Sequence, residues 1–90
     1  MPNTPLDRAT VAVTVKRTLL AESRSPLRPE DVPDDEPLKG GLLQVSSLGF
    51  LGVLLRLEDE LAVSLPDDLF TGRVFRVVDD VVDVVLRGAA

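Results

Sequence analysis

Apolar residues fall on two lines along the middle of this chain. Phe50, Val53, Leu54, Leu57 and Leu61 follow the i, i+3, i+4, i+7 spacing of a core-facing stripe, which predicts a helix over 47–61. Leu48, Leu51 and Leu55 form a second line at i, i+3 and i+7 on the same helix. A small domain has little core to spare, so this second line either packs inside with the first or stays outside as an apolar contact surface. Near the C-terminus, Val78, Val81, Val82, Val85 and Leu86 make one face and Asp79, Asp80 and Asp83 the other, predicting a helix over about 77–87 that Gly88 and the terminal alanines stop. At the other end, Asn3 or Thr4 ahead of Pro5 is a helix-start signal, so a first helix is expected over about 5–21. Its segment Thr10–Lys16 alternates apolar and polar residues and is β-branched, as a strand would be, but helix is the prediction.

Between these helices the pattern breaks. Pro26, Pro29, Pro33 and Pro37, followed by Gly40-Gly41, exclude a regular helix or a central strand and predict a long connector over 22–45. A connector of that length is usually functional or held down by its own side chains, with Val32, Leu38, Leu42 and Leu43 as candidates. Pro66 ends the middle helix region, and Thr71–Phe75 has room for a one-turn third helix at most. The expected fold is all-α in a single domain over 1–90, with three main helices, a short third one over 71–75 and a long first loop.

Composition narrows what such a bundle can do. The chain has no His and no Cys, which removes the usual general base, the thiol nucleophile and the common zinc ligand sets, so an enzyme is not expected. Ten basic against fifteen acidic side chains leave a formal charge of -5, opposite to the footprint of a phosphate-backbone binder, and only three Phe stand for all aromatics. Nucleic acid is therefore not an expected partner, and partners should carry basic patches. No apolar run reaches bilayer length and the residues after Met1 do not read as a leader, so a free-standing, monomeric cytoplasmic protein is expected, with no membrane partner.

Ser47 is the one residue with distinctive chemistry. It opens the middle helix, where unpaired backbone N–H groups and the helix dipole favour negative charge, so a phosphodiester on its side chain would be well placed. The plainer alternative is a serine serving as the helix cap, a role open to Ser46 as well, and Ser46 is also the less favoured site of modification. Glu58, Asp59 and Glu60 end the same helix, where acids are mildly unfavourable; they are either a solvated end or a surface that steers a basic partner. For Asp79, Asp80 and Asp83 a solvated face outweighs a metal clamp, since no further ligands are apparent, and no metal is assigned.

A serine followed by Leu48 at the start of an acid-tailed second helix, and Leu65-Pro66 with the proline nineteen positions after Ser47, resembles the acyl or peptidyl carrier protein family. The resemblance runs from about residue 5 to 87 and is strongest over Pro37–Pro66. It implies a four-helix bundle of the acyl-carrier type with 4'-phosphopantetheine on Ser47, holding an acyl or aminoacyl group as a thioester. Coenzyme A would be the donor, and a Mg2+-dependent phosphopantetheinyl transferase and separate loading, modifying and transferring enzymes would be the partners. The segment Leu69–Phe75 is similar to small free-standing carriers of antibiotic pathways, some of which hold an amino acid, including prolyl carriers that feed pyrrole formation. Docking would use Leu48, Leu51, Leu55, Glu58 and Asp59. Two positions depart from the family: Ser46 stands where Asp usually helps engage the transferase, and Gly52 stands where Glu is common. From a different class, an unmodified helical adaptor using the same acidic and apolar face remains open.

Overall fold

A computed structural model describes residues 7–65 and 75–89 of the chain. The fold is all-α: helices α1 (Arg8–Glu22), α2 (Ser47–Leu61) and α3 (Val78–Ala89), with no strand among the described residues. Helix α1 packs against both α2 and α3 and is the central element. Residues 71–74 of the expected third helix lie outside the described residues, and Phe75 is non-helical.

Helix α1 starts later than its Pro signal suggested. Asp7 is the cap, extended in its own backbone and accepting the Thr10 N–H through Oδ1 at 2.7 Å; Asn3, Thr4 and Pro5 lie outside the described residues. The strand-like alternation is resolved by geometry, because Val11 and Val15 are one helical turn apart and share the buried face, while Val13 points away and is exposed. Thr14 and Thr18 are buried beside them, each donating its hydroxyl to the carbonyl four residues back, Thr10 O at 3.1 Å and Thr14 O at 2.9 Å. Thr14, the buried polar position of the alternation, is thus hydrogen-bonded within the helix.

Helix α3 buries Val78, Val81, Val82 and Val85, with Leu86 half-buried; Val84 is buried as well, which the single-face pattern did not anticipate. The helix also runs through Gly88 to Ala89 instead of stopping at Gly88. Its start is held by Asp80, whose Oδ2 accepts the Arg76 N–H (2.9 Å) and the Val77 N–H (3.1 Å). Asp79 and Asp83 each accept from Arg8 at 2.8 Å, fastening α3 to the start of α1; Asp83 first, then Asp79, raises the guanidinium above its ordinary pKa. These acids are a paired surface.

The connector is pinned as its apolar residues suggested at Val32, Leu38 and Leu43, all buried, but Leu42 is exposed and Val45 takes a buried place instead. It contains one short 3-10 turn, Pro29–Asp31, where Pro29 supplies the fixed φ of a helix start and Asp31 accepts the Arg28 N–H at 3.0 Å. Gly40, at φ 90, makes the reversal that lets Lys39 and Gln44 pair, and the Glu36 carboxylate accepts the Leu42 N–H at 2.8 Å to hold it.

One residue ties the connector to two helices. Asp34 meets Lys16 of α1 at 2.7 Å, and its carbonyl accepts the Asp79 N–H of α3 at 2.9 Å. The hydrogen bond from Lys16 holds the Asp34 carboxyl below its ordinary pKa, and the backbone N–H of Thr10 does the same for Asp7. A carboxyl with a lower pKa folded than unfolded contributes stability that is complete above its unfolded value, about 3.9, and is lost as pH falls through the folded one, because the unfolded chain then binds more protons. Melting temperature should therefore fall as pH drops from about 5 toward 2, and fall less steeply in Asp34→Asn. Parallel curves for the two proteins would show that Asp34 adds nothing to acid sensitivity.

Candidate functional site

The start of α2 is built by three crossing segments. Leu38 N–H donates to Arg76 O (2.9 Å) and Val78 N–H to Glu36 O (3.0 Å), so the connector lies antiparallel to the entry of α3 around the Pro37–Val77 bridge. Val45 N–H then donates to Leu38 O at 3.1 Å, which brings the entry of α2 to the same place. Ser46 is the N-cap, with Oγ accepting the Gly49 N–H at 3.0 Å. Ser47 is the first helical residue, exposed, and its hydroxyl makes no hydrogen bond to any described residue. Two adjacent serines are thereby divided between a capping role and a free hydroxyl.

Gly49 is placed by this arrangement. A Cβ there would meet the Glu22 carboxylate, the movable end of a side chain, and crowd the capping Ser46 Oγ, so the glycine leaves room for these two groups at the start of α2. Gly52 faces open space with nothing within 4 Å of a would-be Cβ, so packing does not require glycine there.

Beside Ser47 opens a cleft of about 500 Å³. Leu38, Val45, Phe50 and Phe75 form its apolar part, with the two rings 4.9 Å apart at 50°, while Ser46 and Ser47 form one wall and Lys39 and Arg76 bring positive charge. Lys39 and Arg76 were not among the residues singled out from sequence, and Phe75 entered there as the end of the Leu69–Phe75 segment and not as part of a site. No local signal marks the two cations, since they reach the start of α2 through the hydrogen bonds that join the connector to the entry of α3.

Along α2, Val53, Leu54 and Leu57 are buried and Phe50 and Leu61 are half-buried against the core. The second apolar line stays outside, with Leu48 81%, Leu51 58% and Leu55 67% exposed. It starts directly after Ser47. At the far end of the helix the three acids differ. Glu58 accepts the Leu65 N–H at 2.7 Å through its side chain, and its carbonyl accepts from Ala62 and Val63, closing the helix over the left-handed Ala62. Glu60 accepts the Thr18 hydroxyl at 3.2 Å and lies 3.7 Å from Arg17. Asp59 is exposed and makes no ion pair among the described residues. Leu65 is buried, and Pro66, the second half of the Leu-Pro pair, lies outside the described residues.

No helix among the described residues is long and apolar enough to cross a membrane. Comparison with protein-family models, with curated proteins and with solved structures found no match to this chain.

Proposed function

We propose that this chain is a carrier protein of the acyl or peptidyl carrier type, holding an acyl or aminoacyl group as a thioester on a 4'-phosphopantetheine arm attached to Ser47. The observation that carries the reading is the free, exposed hydroxyl of Ser47 at the first position of α2, next to a serine that has already taken the cap. Attachment needs a nucleophilic oxygen that an outside enzyme can reach, and a helix start whose unpaired N–H groups tolerate the phosphodiester formed. Both requirements fit this residue. The Ser47 Oγ–P bond forms as coenzyme A gives up its nucleotide portion, and the hydroxyl proton is lost to the transferase or to solvent.

The arm supplies the thioester chemistry, and the chain supplies a tether that raises the local concentration of the cargo at separate enzymes. In this reading the protein is not itself an enzyme, acts as a cytoplasmic monomer in a polyketide, nonribosomal peptide or related antibiotic pathway, and has the four-helix arrangement of that family. Leu48, Leu51 and Leu55 give the enzymes contact area, and Asp59 gives a charge for the encounter. Glu58 contributes from the same helix end, although one of its oxygens is engaged with Leu65.

Intact mass of protein isolated from its native cells tests the proposal: a population heavier by one phosphopantetheine arm supports it. An unmodified chain in cells that hold an active transferase would favour a helical adaptor, which the three exposed leucines would serve without any arm.

Rim charges act mainly on association rate and its salt dependence. Asp59→Lys should slow loading by the transferase several-fold at low ionic strength and little above about 0.5 M salt, where the Debye length falls well below 10 Å. Reversal at Glu58 should also lower the melting temperature, because it removes the acceptor of the Leu65 N–H. Loading rates that ignore Asp59→Lys at low salt would make the acid a solvated helix end.

A further inference from the structure

We infer that the outer face of α2 is self-complementary and pairs weakly with a second copy of this chain, the two α2 helices running antiparallel and crossing beside Gly52. The glycine is the starting point. It sits in mid-helix, where it weakens the helix relative to alanine, and a Cβ there would meet nothing within 4 Å, so the fold of one chain does not account for it. Leu48 lies four residues before it and Leu55 three after, and with Leu51 they form the exposed apolar line. A missing side chain on such a line lets another helix approach toward the short end of the ~8–10 Å range between packed helix axes.

Charge complementarity identifies the second copy as the occupant. At the start of α2, Lys39 and Arg76 are exposed across the cleft from Ser47, and their side chains are in no ion pair among the described residues. At the end of α2 stand Glu58 and Asp59, the latter exposed and in no ion pair among the described residues. A surface positive at one end, apolar in the middle and negative at the other matches its own copy turned about a two-fold axis, because such a contact brings residue i against j and j against i. One register serves all three parts. Setting Leu51 of each copy against Leu55 of the other also sets position 47 against position 59, since both pairs are centred on position 53, next to Gly52. Arg56 then lies near Leu48 of the other copy, over which its alkyl stem can extend. Two terms keep the pairing weak: each chain carries a formal charge of -5, and three leucines fall far short of the ~20–30 residues a side of a standard interface. A dissociation constant on the order of 0.1–1 mM is expected. Pairing covers the leucines that enzymes would use, so the monomer is the form that docks; this consequence alone rests on the carrier reading.

Sedimentation equilibrium of the full-length, unmodified chain from about 0.02 to 2 mM tests the pairing, with an average mass expected to rise from that of one chain toward that of two. Gly52→Leu should weaken association at least about tenfold by holding the helices apart. This variant places its side chain in open space and raises helix propensity, so it keeps the fold, which circular dichroism checks. A non-specific apolar contact would instead gain from the added leucine. Lys39→Glu/Arg76→Glu and Asp59→Lys should each associate less than the unaltered chain, and an equal mixture of the two should recover association, because each end then meets its opposite charge again. The mass of one chain throughout the series overturns pairing and leaves the face to an enzyme or another protein. Gly52→Leu that associates as well as the unaltered chain, or better, overturns the crossing at Gly52. Folded charge variants that do not recover on mixing overturn the charged ends, and the first two measurements need neither of them. The chain carries no arm in this experiment, so its outcome is independent of whether Ser47 accepts one.

Discussion

Ser47→Ala should abolish the mass gain expected of the protein with coenzyme A, Mg2+ and a broad-specificity phosphopantetheinyl transferase, and Ser46→Ala should retain it. The contrast follows from how α2 begins. Ser46 is outside the first turn with its Oγ bonded to Gly49 N–H, and Ser47 is inside it with an unengaged hydroxyl. Removing the Ser47 hydroxyl removes the one serine hydroxyl of the pair that is not engaged in the cap, while leaving the cap intact. Removing the Ser46 hydroxyl costs about 1 kcal/mol of capping, within a range of roughly 0.5–2. For a domain of this size that lowers the melting temperature by roughly 4–8 °C. Melting and mass spectrometry should thus separate the two serines in opposite directions. If Ser46→Ala blocks the mass gain and Ser47→Ala permits it, the attachment site has been assigned to the wrong residue.

Leu19→Ala should destabilise the fold by about 2–5 kcal/mol, the usual cost of a cavity at a fully buried leucine. Leu19 is completely buried in the core cluster and belongs to α1, the helix against which both others pack. A single domain under about 100 residues buries a modest share of its surface, which makes such a loss a large part of its total stability. Leu51→Ala, by contrast, should change stability by no more than about 0.5 kcal/mol, because that side chain is already 58% exposed. Urea unfolding of the two variants checks both expectations. Comparable losses would mean that the outer leucine line of α2 is part of the core and not available to a partner.

Local signals explain why some parts were legible and others were not. The limits of α2 follow from a capping serine and an apolar period, both local, and the structure places the helix at Ser47–Leu61 as the spacing indicated. The start of α1 was misplaced because Asn3-Thr4-Pro5 carries a start signal as good as that of Asp7, and only the backbone conformation at Asp7 separates them. Gly88 looked like a stop, yet α3 continues to Ala89. A glycine weakens a helix by about 1 kcal/mol, which a well-packed face such as Val81, Val82 and Val85 can outweigh.

What the amino-acid sequence determined by itself is what depends on near neighbours: an all-α pattern, a proline-rich connector, a serine pair at the mouth of α2, and two apolar lines on that helix. Whether the second line joined the first inside was decided by tertiary packing, because nothing on the helix itself says how much of its surface the rest of the chain covers. The same is true of Leu42, left outside while Val45 is taken in, and of Arg8, which reaches Asp79 and Asp83 across 71 and 75 residues of chain. The cleft is the clearest case. Lys39 and Arg76 carry no periodicity or motif, and with Phe75 they come to Ser47 because backbone hydrogen bonds lay the connector along the entry of α3. Contacts between residues far apart in sequence are set by the whole packed chain, and no local pattern encodes them.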